Sequence, residues 1–251
     1  MFKRLVPVNK DRHSQLRIKP TASFAFARDF HIASVMMHEF SRAASLYPVV
    51  FLEDKTRDEF RPVALLGLEA GENLFVDEDG QWQGAYIPAI IRRYPFALAG
   101  TGDEGQFTVC IDEESPLVSE SDGVPLFEDD GNPADALENV KRYLGELQQM
   151  DAFTSTCCHY LAEHNMFTPL NMRVQQTGQV RNITGCYVVN EERLYNLSDE
   201  RFLEMRDRRY LPAIYAHLGS LAQIDRLLKL KEGRSHSDVN QELQETVGLT
   251  H

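Results

Sequence analysis

No C-x-x-C pair occurs in this chain, no apolar run is long enough to span a bilayer, and no lysine, arginine or histidine lies between Asp103 and Glu138. Each absence removes a class of protein. The four cysteines, Cys110, Cys157, Cys158 and Cys186, lack the spacing of a zinc site or a redox pair, and the adjacent Cys157 and Cys158 bridge only with strain. They read as buried free thiols of a reducing cytoplasm. The longest apolar runs, Tyr47–Leu52 and Val63–Leu68, are far too short for a membrane span. The basic N-terminus has no apolar core of signal-peptide length, so a soluble cytoplasmic protein is expected. The net charge is −12 although the first thirty positions lean basic, and this overall acidity argues against the dense cationic face that nucleic acid demands.

Catalytic signatures are equally sparse. There is no G-x-S-x-G elbow and no P-loop. Gly100-Thr101-Gly102-Asp103-Glu104-Gly105 matches the dinucleotide pattern in letters only. A strand-like QFTVCID follows it instead of a helix, and two acids would repel a pyrophosphate. His38-Glu39 begins like a zinc-protease motif, but Arg42 stands where the second histidine is needed. His236-Ser237-Asp238 lacks a third fixed ligand. Asp77-x-Asp79-Gly80 and Glu128 to Gly131 lack the alternating oxygens and closing glutamate of a calcium loop. These residues call for no metal and no cofactor.

What is present is a sizeable core: 251 residues, 43% hydrophobic and 10% aromatic, enough for one compact domain. The periodicity predicts extended arms over the first thirty residues and a helix from Ile32 to Tyr47, with Met36, Phe40, Ala43, Ala44 and Tyr47 on one face. Pro48 ends that helix, and strands follow at Val49–Leu52 and Val63–Leu68. Gly80 suits a tight turn, and Pro88 opens a short helix, Ile87 to Tyr94. Strands are predicted at Phe96–Leu98 and Phe107–Ile111. The acidic stretch from Glu113 to Pro133 reads as a loop and as the place for a subdomain seam. Helices are predicted around Leu137–Leu147, at Phe153–His164, and from Pro212 to about Leu230 with Tyr215, Leu218, Leu221 and Leu228 buried. A strand pair is predicted at Leu170–Val174 and Ile183–Val189. The polar tail from 234 to 251 has Val239, Leu243 and Val247 at helical spacing. Strands joined by tight turns, then helices, predict an α+β domain over residues 1–233. Its sheet is mixed, mainly antiparallel, in the N-terminal half, and the C-terminal half is more helical.

The segment from Leu65 to Ala99 concentrates recognition chemistry. Trp82, Tyr86 and Tyr94 offer stacking surface, and Arg92 and Arg93 offer planar forks for a carboxylate, sugar or peptide. Glu39 could pair with Arg42 or with the basic N-terminal arm. His217 lies on the buried face of the last helix, where a hydrogen-bonded core role and a site role are both open.

The motifs Phe24-Ala25-Phe26-Ala27, Glu39-Phe40, Tyr47-Pro48-Val49-Val50-Phe51, Leu66-Gly67-Leu68 and Glu72-Asn73-Leu74-Phe75 form a distinctive series. Gly80-x-Trp82, Tyr86-Ile87-Pro88, Arg92-Arg93-Tyr94-Pro95-Phe96, Gly185-x-Tyr187 and Ile214 to Leu221 continue it. Together they resemble the bacterial SapC family over nearly the whole chain. The resemblance implies an association with surface layers and serum resistance. It also implies genomic neighbours that include flavin-dependent halogenase-like proteins, cupin-like proteins and TonB-dependent receptors. It carries over no catalytic residue. Three readings follow. The first is a non-enzymatic accessory or binding protein of a cell-surface or nutrient-uptake system, docking a protein partner or small ligand. The second is an enzyme modifying a peptide or glycan beside a flavoprotein, with Glu39, Arg92, Arg93, Tyr94 and His217 converging. The third is a surface-layer component that assembles with calcium. Oligomeric state is left open.

Overall fold

The computed structural model describes residues 2–100, 106–176 and 179–234. Every strand pairing among them is antiparallel, and the fold is α+β. Numbered along the chain, the first strands are β1 (Leu5–Pro7), β2 (Arg17–Ile18), β3 (Ile32–Ser34), β4 (Val49–Asp54) and β5 (Glu59–Leu65). There follow β6 (Phe96–Gly100), β7 (Phe107–Asp112), β8 (Val118–Ser119) and β9 (Val124–Pro125). The last four are β10 (Phe167–Pro169), β11 (Met172–Gln176), β12 (Gln179–Ile183) and β13 (Tyr187–Val189). The helices are α1 (Lys10–His13), α2 (Phe40–Ala43), α3 (Ala89–Arg92), α4 (Asp135–Glu163), α5 (Glu191–Tyr195), α6 (Asp199–Asp207) and α7 (Leu211–Ser220), with a further helical run over 223–234.

The central sheet has the order β10-β13-β4-β5-β3, so the C-terminal half contributes two strands to a sheet begun before residue 66. β4 shows why it holds the centre. Its side chains alternate, and Val49 and Phe51 pack into one cluster with Phe40, Tyr47, Leu161 and Ile214. Val50 points into another, with Val63, Val188 and Ile224. A second sheet, β1-β7-β6, packs Phe96 and Ile111 against Leu137 and Leu144 of α4. That one helix is therefore the spine of two cores. Its first half serves the small sheet, and Cys157, Cys158 and Leu161 in its second half serve the large one.

Several elements differ from the sequence reading. The predicted helix over Ile32–Tyr47 is instead β3, a 3₁₀ turn at Met37–Glu39 and the four-residue α2. Ile32, Ala33 and Ser34 pair with β5, and this tertiary pairing outweighs the helical spacing, which holds only from Met36 onward. The two predicted helices between Leu137 and His164 are one 29-residue helix. The polar stretch between them is merely its exposed face and holds no proline to break it. The predicted helix from Pro212 is interrupted by a turn at 221–222, and Tyr215 is 49% exposed, not buried. The predicted pair near Gly178 separates into two, β11 with β12 and β10 with β13. The N-terminal region holds α1 as well as strands. The acidic stretch Glu113–Pro133 departs from the loop predicted for it: β8 and β9 flank β2, and Leu126 and Phe127 are buried in the core shared with α4.

Other expectations match. Asp77 accepts from Gly80 N at 3.0 Å, Gly80 takes φ +79°, and Val76 bridges Trp82. Pro88 caps α3. Arg234 donates to the carbonyl of Asn73 at 2.9 Å and to that of Val76. The residues beyond it, with Val239, Leu243 and Val247, lie outside the described residues.

The turn between β8 and β9 requires glycine. Gly123 takes φ +103°, and a Cβ there would lie 2.4 Å from the carbonyl oxygen of Ile18. Gly123→Ala is expected to lower stability by about 2 kcal/mol, from left-handed strain plus the clash. A urea midpoint unchanged within error would contradict that.

Candidate functional site

The first turn of α3 exposes backbone N–H groups that its own carbonyls cannot reach. Glu39 takes one of them. Its carboxylate, on a residue 1% exposed, accepts from Ala89 N at 3.0 Å and from Met36 N at 2.9 Å. The Tyr86 hydroxyl donates to it as well. Met37 N, one residue after Met36, donates to Thr154 Oγ1 on α4 at 3.0 Å. The 3₁₀ turn, α3 and the long helix are thereby pinned together around one buried negative charge. That charge is balanced by N–H and O–H donors and not by Arg42, the partner the sequence suggested. Burial, and then the bond to Glu39 with its charge, push the Tyr86 phenol well above its ordinary pKa, so it stays a donor.

Outside this bolt, guanidinium groups and rings alternate. Arg42 lies 5.3 Å from the centre of the Tyr86 ring. Arg92 lies 5.6 Å from the same ring and 5.8 Å from that of Tyr143 on α4. The Nε of Arg92 donates to Ile87 O at 3.0 Å, which fixes the fork in place. Both arginines are exposed, and neither forms an ion pair among the described residues. Arg93 is half-buried: its guanidinium lies 5.8 Å from the Phe2 ring, and its buried Nε has no hydrogen-bond partner there. Burial holds it below its ordinary pKa against the pull of Asp151.

Trp82 joins the cluster from the other side. Its Nε1 donates to the Tyr47 hydroxyl at 3.0 Å, and that hydroxyl donates to the carbonyl of Tyr86. Phe24 and Phe75 flank its ring at 5.8 and 6.4 Å. Tyr94 is turned elsewhere, stacked on Phe26 at 4.2 Å with its hydroxyl donating to the buried Asp112 at 3.1 Å. Asp112 also accepts Lys3 N and Arg4 N, so this pair anchors the N-terminal strand.

His217 stands apart. It is fully buried, its Nδ1 donates to Val49 O at 2.7 Å, and its Nε2 accepts from Val189 N at 3.0 Å. Burial, only partly offset by the bond to Val49, lowers its pKa to about 4. It ties β4 and β13 to α7.

The structure thus brings together Glu39, Tyr86 and Arg92 directly and Trp82 through Tyr47, and it sets Arg93 over the Phe2 ring. It gives Tyr94 and His217 other partners. Tyr143, absent from the sequence reading, follows Val140 in the helical repeat and carries no local sign of its role. All four cysteines are free and buried, and burial raises their thiol pKa values. Among the described residues no three metal-binding side chains converge, and no helix is long and apolar enough to cross a membrane.

Fold and site together define an α+β protein in which arginines of α2 and α3 lie over tyrosine rings. The family model of SapC matches residues 8–227, and the chain belongs to the SapC family. No curated protein and no solved structure gives a significant match.

Proposed function

We propose that this SapC-family protein is a non-enzymatic accessory or binding protein of a bacterial cell-surface or nutrient-uptake system. It engages an anionic group of a protein partner or small ligand at the Arg42–Tyr86–Arg92–Tyr143 rim. One observation carries the reading. Two exposed guanidinium groups are held over rings with no carboxylate paired to them among the described residues, in a chain of net charge −12. Arginines so placed offer a forked donor to a carboxylate, and the bolt at Glu39 prepays their positioning. Cytoplasmic action is the companion proposal, supported by four buried unbridged thiols. A flavin-dependent halogenase-like protein is the partner to try first.

The test is a thermal-shift titration with citrate, benzoate and hexaglutamate. A ligand at a hundred times its dissociation constant adds about 2.7 kcal/mol and raises the melting temperature by a few degrees. Arg42→Ala and Arg92→Ala are expected to abolish the shift. An equal shift in both variants, or none with any of the three anions, would remove the rim as a contact surface.

A further inference from the structure

A second feature lies on the far side of α2. A groove of about 430 Å³ opens between the 3₁₀ turn, the middle of α4 and the start of α7, within the roughly 300–1,000 Å³ range of small-molecule sites. Met37, Met150, Phe153 and Pro212 form its apolar floor, and Arg209, His38 and Ser41 stand at its rim. None of these three side chains has a hydrogen bond or ion pair among the described residues.

Arg209 is the informative member. It follows the C-terminus of α6, where Tyr210 N bonds Met205 O at 3.0 Å and Arg209 N bonds Arg206 O at 2.9 Å. This is the closing pattern that puts a left-handed residue after a helix, and glycine is the usual occupant. Here arginine takes φ +62° and bears the strain. Its neighbours are satisfied: Arg206 pairs with Asp207 at 2.8 Å and Arg208 with Glu204 at 2.7 Å. Arg209 has no such carboxylate among the described residues, and it faces the groove. A costly backbone position is thus filled by a cation left over an apolar cleft.

We propose that this groove binds a small amphiphilic carboxylate, with its hydrocarbon body on Met150 and Phe153 and its carboxylate on the Arg209 fork. One guanidinium beside an imidazole and a hydroxyl matches a single negative charge; a doubly charged phosphate calls for more cations. The groove shares no lining residue with the rim at Tyr86.

Calorimetric titration with sodium decanoate tests it. Saturable binding to one site is expected, about tenfold or more weaker in Arg209→Gly. That variant keeps the backbone geometry and should melt no lower than the parent. Phe153→Ala, at a position 40% exposed, is expected to weaken binding similarly, and it carries the test alone if Arg209→Gly melts lower. Decyltrimethylammonium, with the same tail and the opposite charge, is expected not to saturate. No saturable decanoate binding, equal affinity in the variants, or equal affinity for the cation would each overturn the proposal.

Discussion

Glu39→Ala is expected to destabilise the protein by about 4 kcal/mol, read as a fall in the urea midpoint at unchanged slope. The carboxylate accepts from two backbone N–H groups and one phenol, all in a dry interior. Removing it strands those three donors, and each buried unsatisfied donor costs about 1–3 kcal/mol. Some of that sum is recovered as water enters or the chain relaxes, hence the intermediate figure. Glu39→Gln keeps one acceptor oxygen but brings an amide NH₂ toward Ala89 N, Met36 N or the Tyr86 hydroxyl, and is expected to cost about half as much. The loss should extend to the rim, because Tyr86 and α3 position Arg92. A cost under about 1 kcal/mol for the alanine variant would mean that the carboxylate is not the bolt described.

Such long-range bonds explain which parts of this protein can be read from its residues. The β4 strand was legible because Val49, Val50 and Phe51 sit directly after a proline, and β-branched and aromatic residues suit a two-faced strand. The start of α3 was legible because Pro88 fits a helix N-terminus, and the turn at Gly80 because a positive φ selects glycine. Each of these signals acts within a few residues. The entry of β13 beside β4 depends on pairing across more than a hundred residues, and Tyr187 and Val189 say nothing of their neighbour. Ile32–Ser34 carry no local mark that separates them from the helical spacing beginning at Met36, and only the presence of β5 makes them a strand. Within the site, the aromatic and arginine residues of Tyr86–Arg93 were visible as a dense local group. The role of Glu39 was not, because its three donors come from Met36, Tyr86 and Ala89, which meet only when the chain closes. The two rim arginines show the same limit: Arg92 was named from its local setting, whereas Arg42 reads locally as a partner for Glu39.

His217 has the sharpest consequence for pH. Its unfolded pKa is near 6.5 and its folded pKa is lowered to about 4, first because it is fully buried. Between those values the unfolded chain binds a proton that the folded protein refuses. Stability from this residue is therefore complete above about pH 6.5 and is lost as pH falls toward 4, by about 3 kcal/mol in all. Asp112 and Glu113 act differently. Burial pushes both carboxyls up, but hydrogen bonds outweigh it, from Arg4 and Lys3 amides to Asp112 and from His13 and Arg12 to Glu113, so both are held below their usual range. Their stabilisation is lost only on further acidification, below about pH 4. Urea denaturation at half-unit steps from pH 7 to 4 should show the slope. His217→Gln should be less stable at pH 7, since Val49 O and Val189 N lose a ring that meets both, and its stability should vary far less between pH 6.5 and 4. An equal slope in the variant would assign the acid sensitivity to other groups and leave His217 titrating as an ordinary histidine, which its two occupied ring nitrogens argue against.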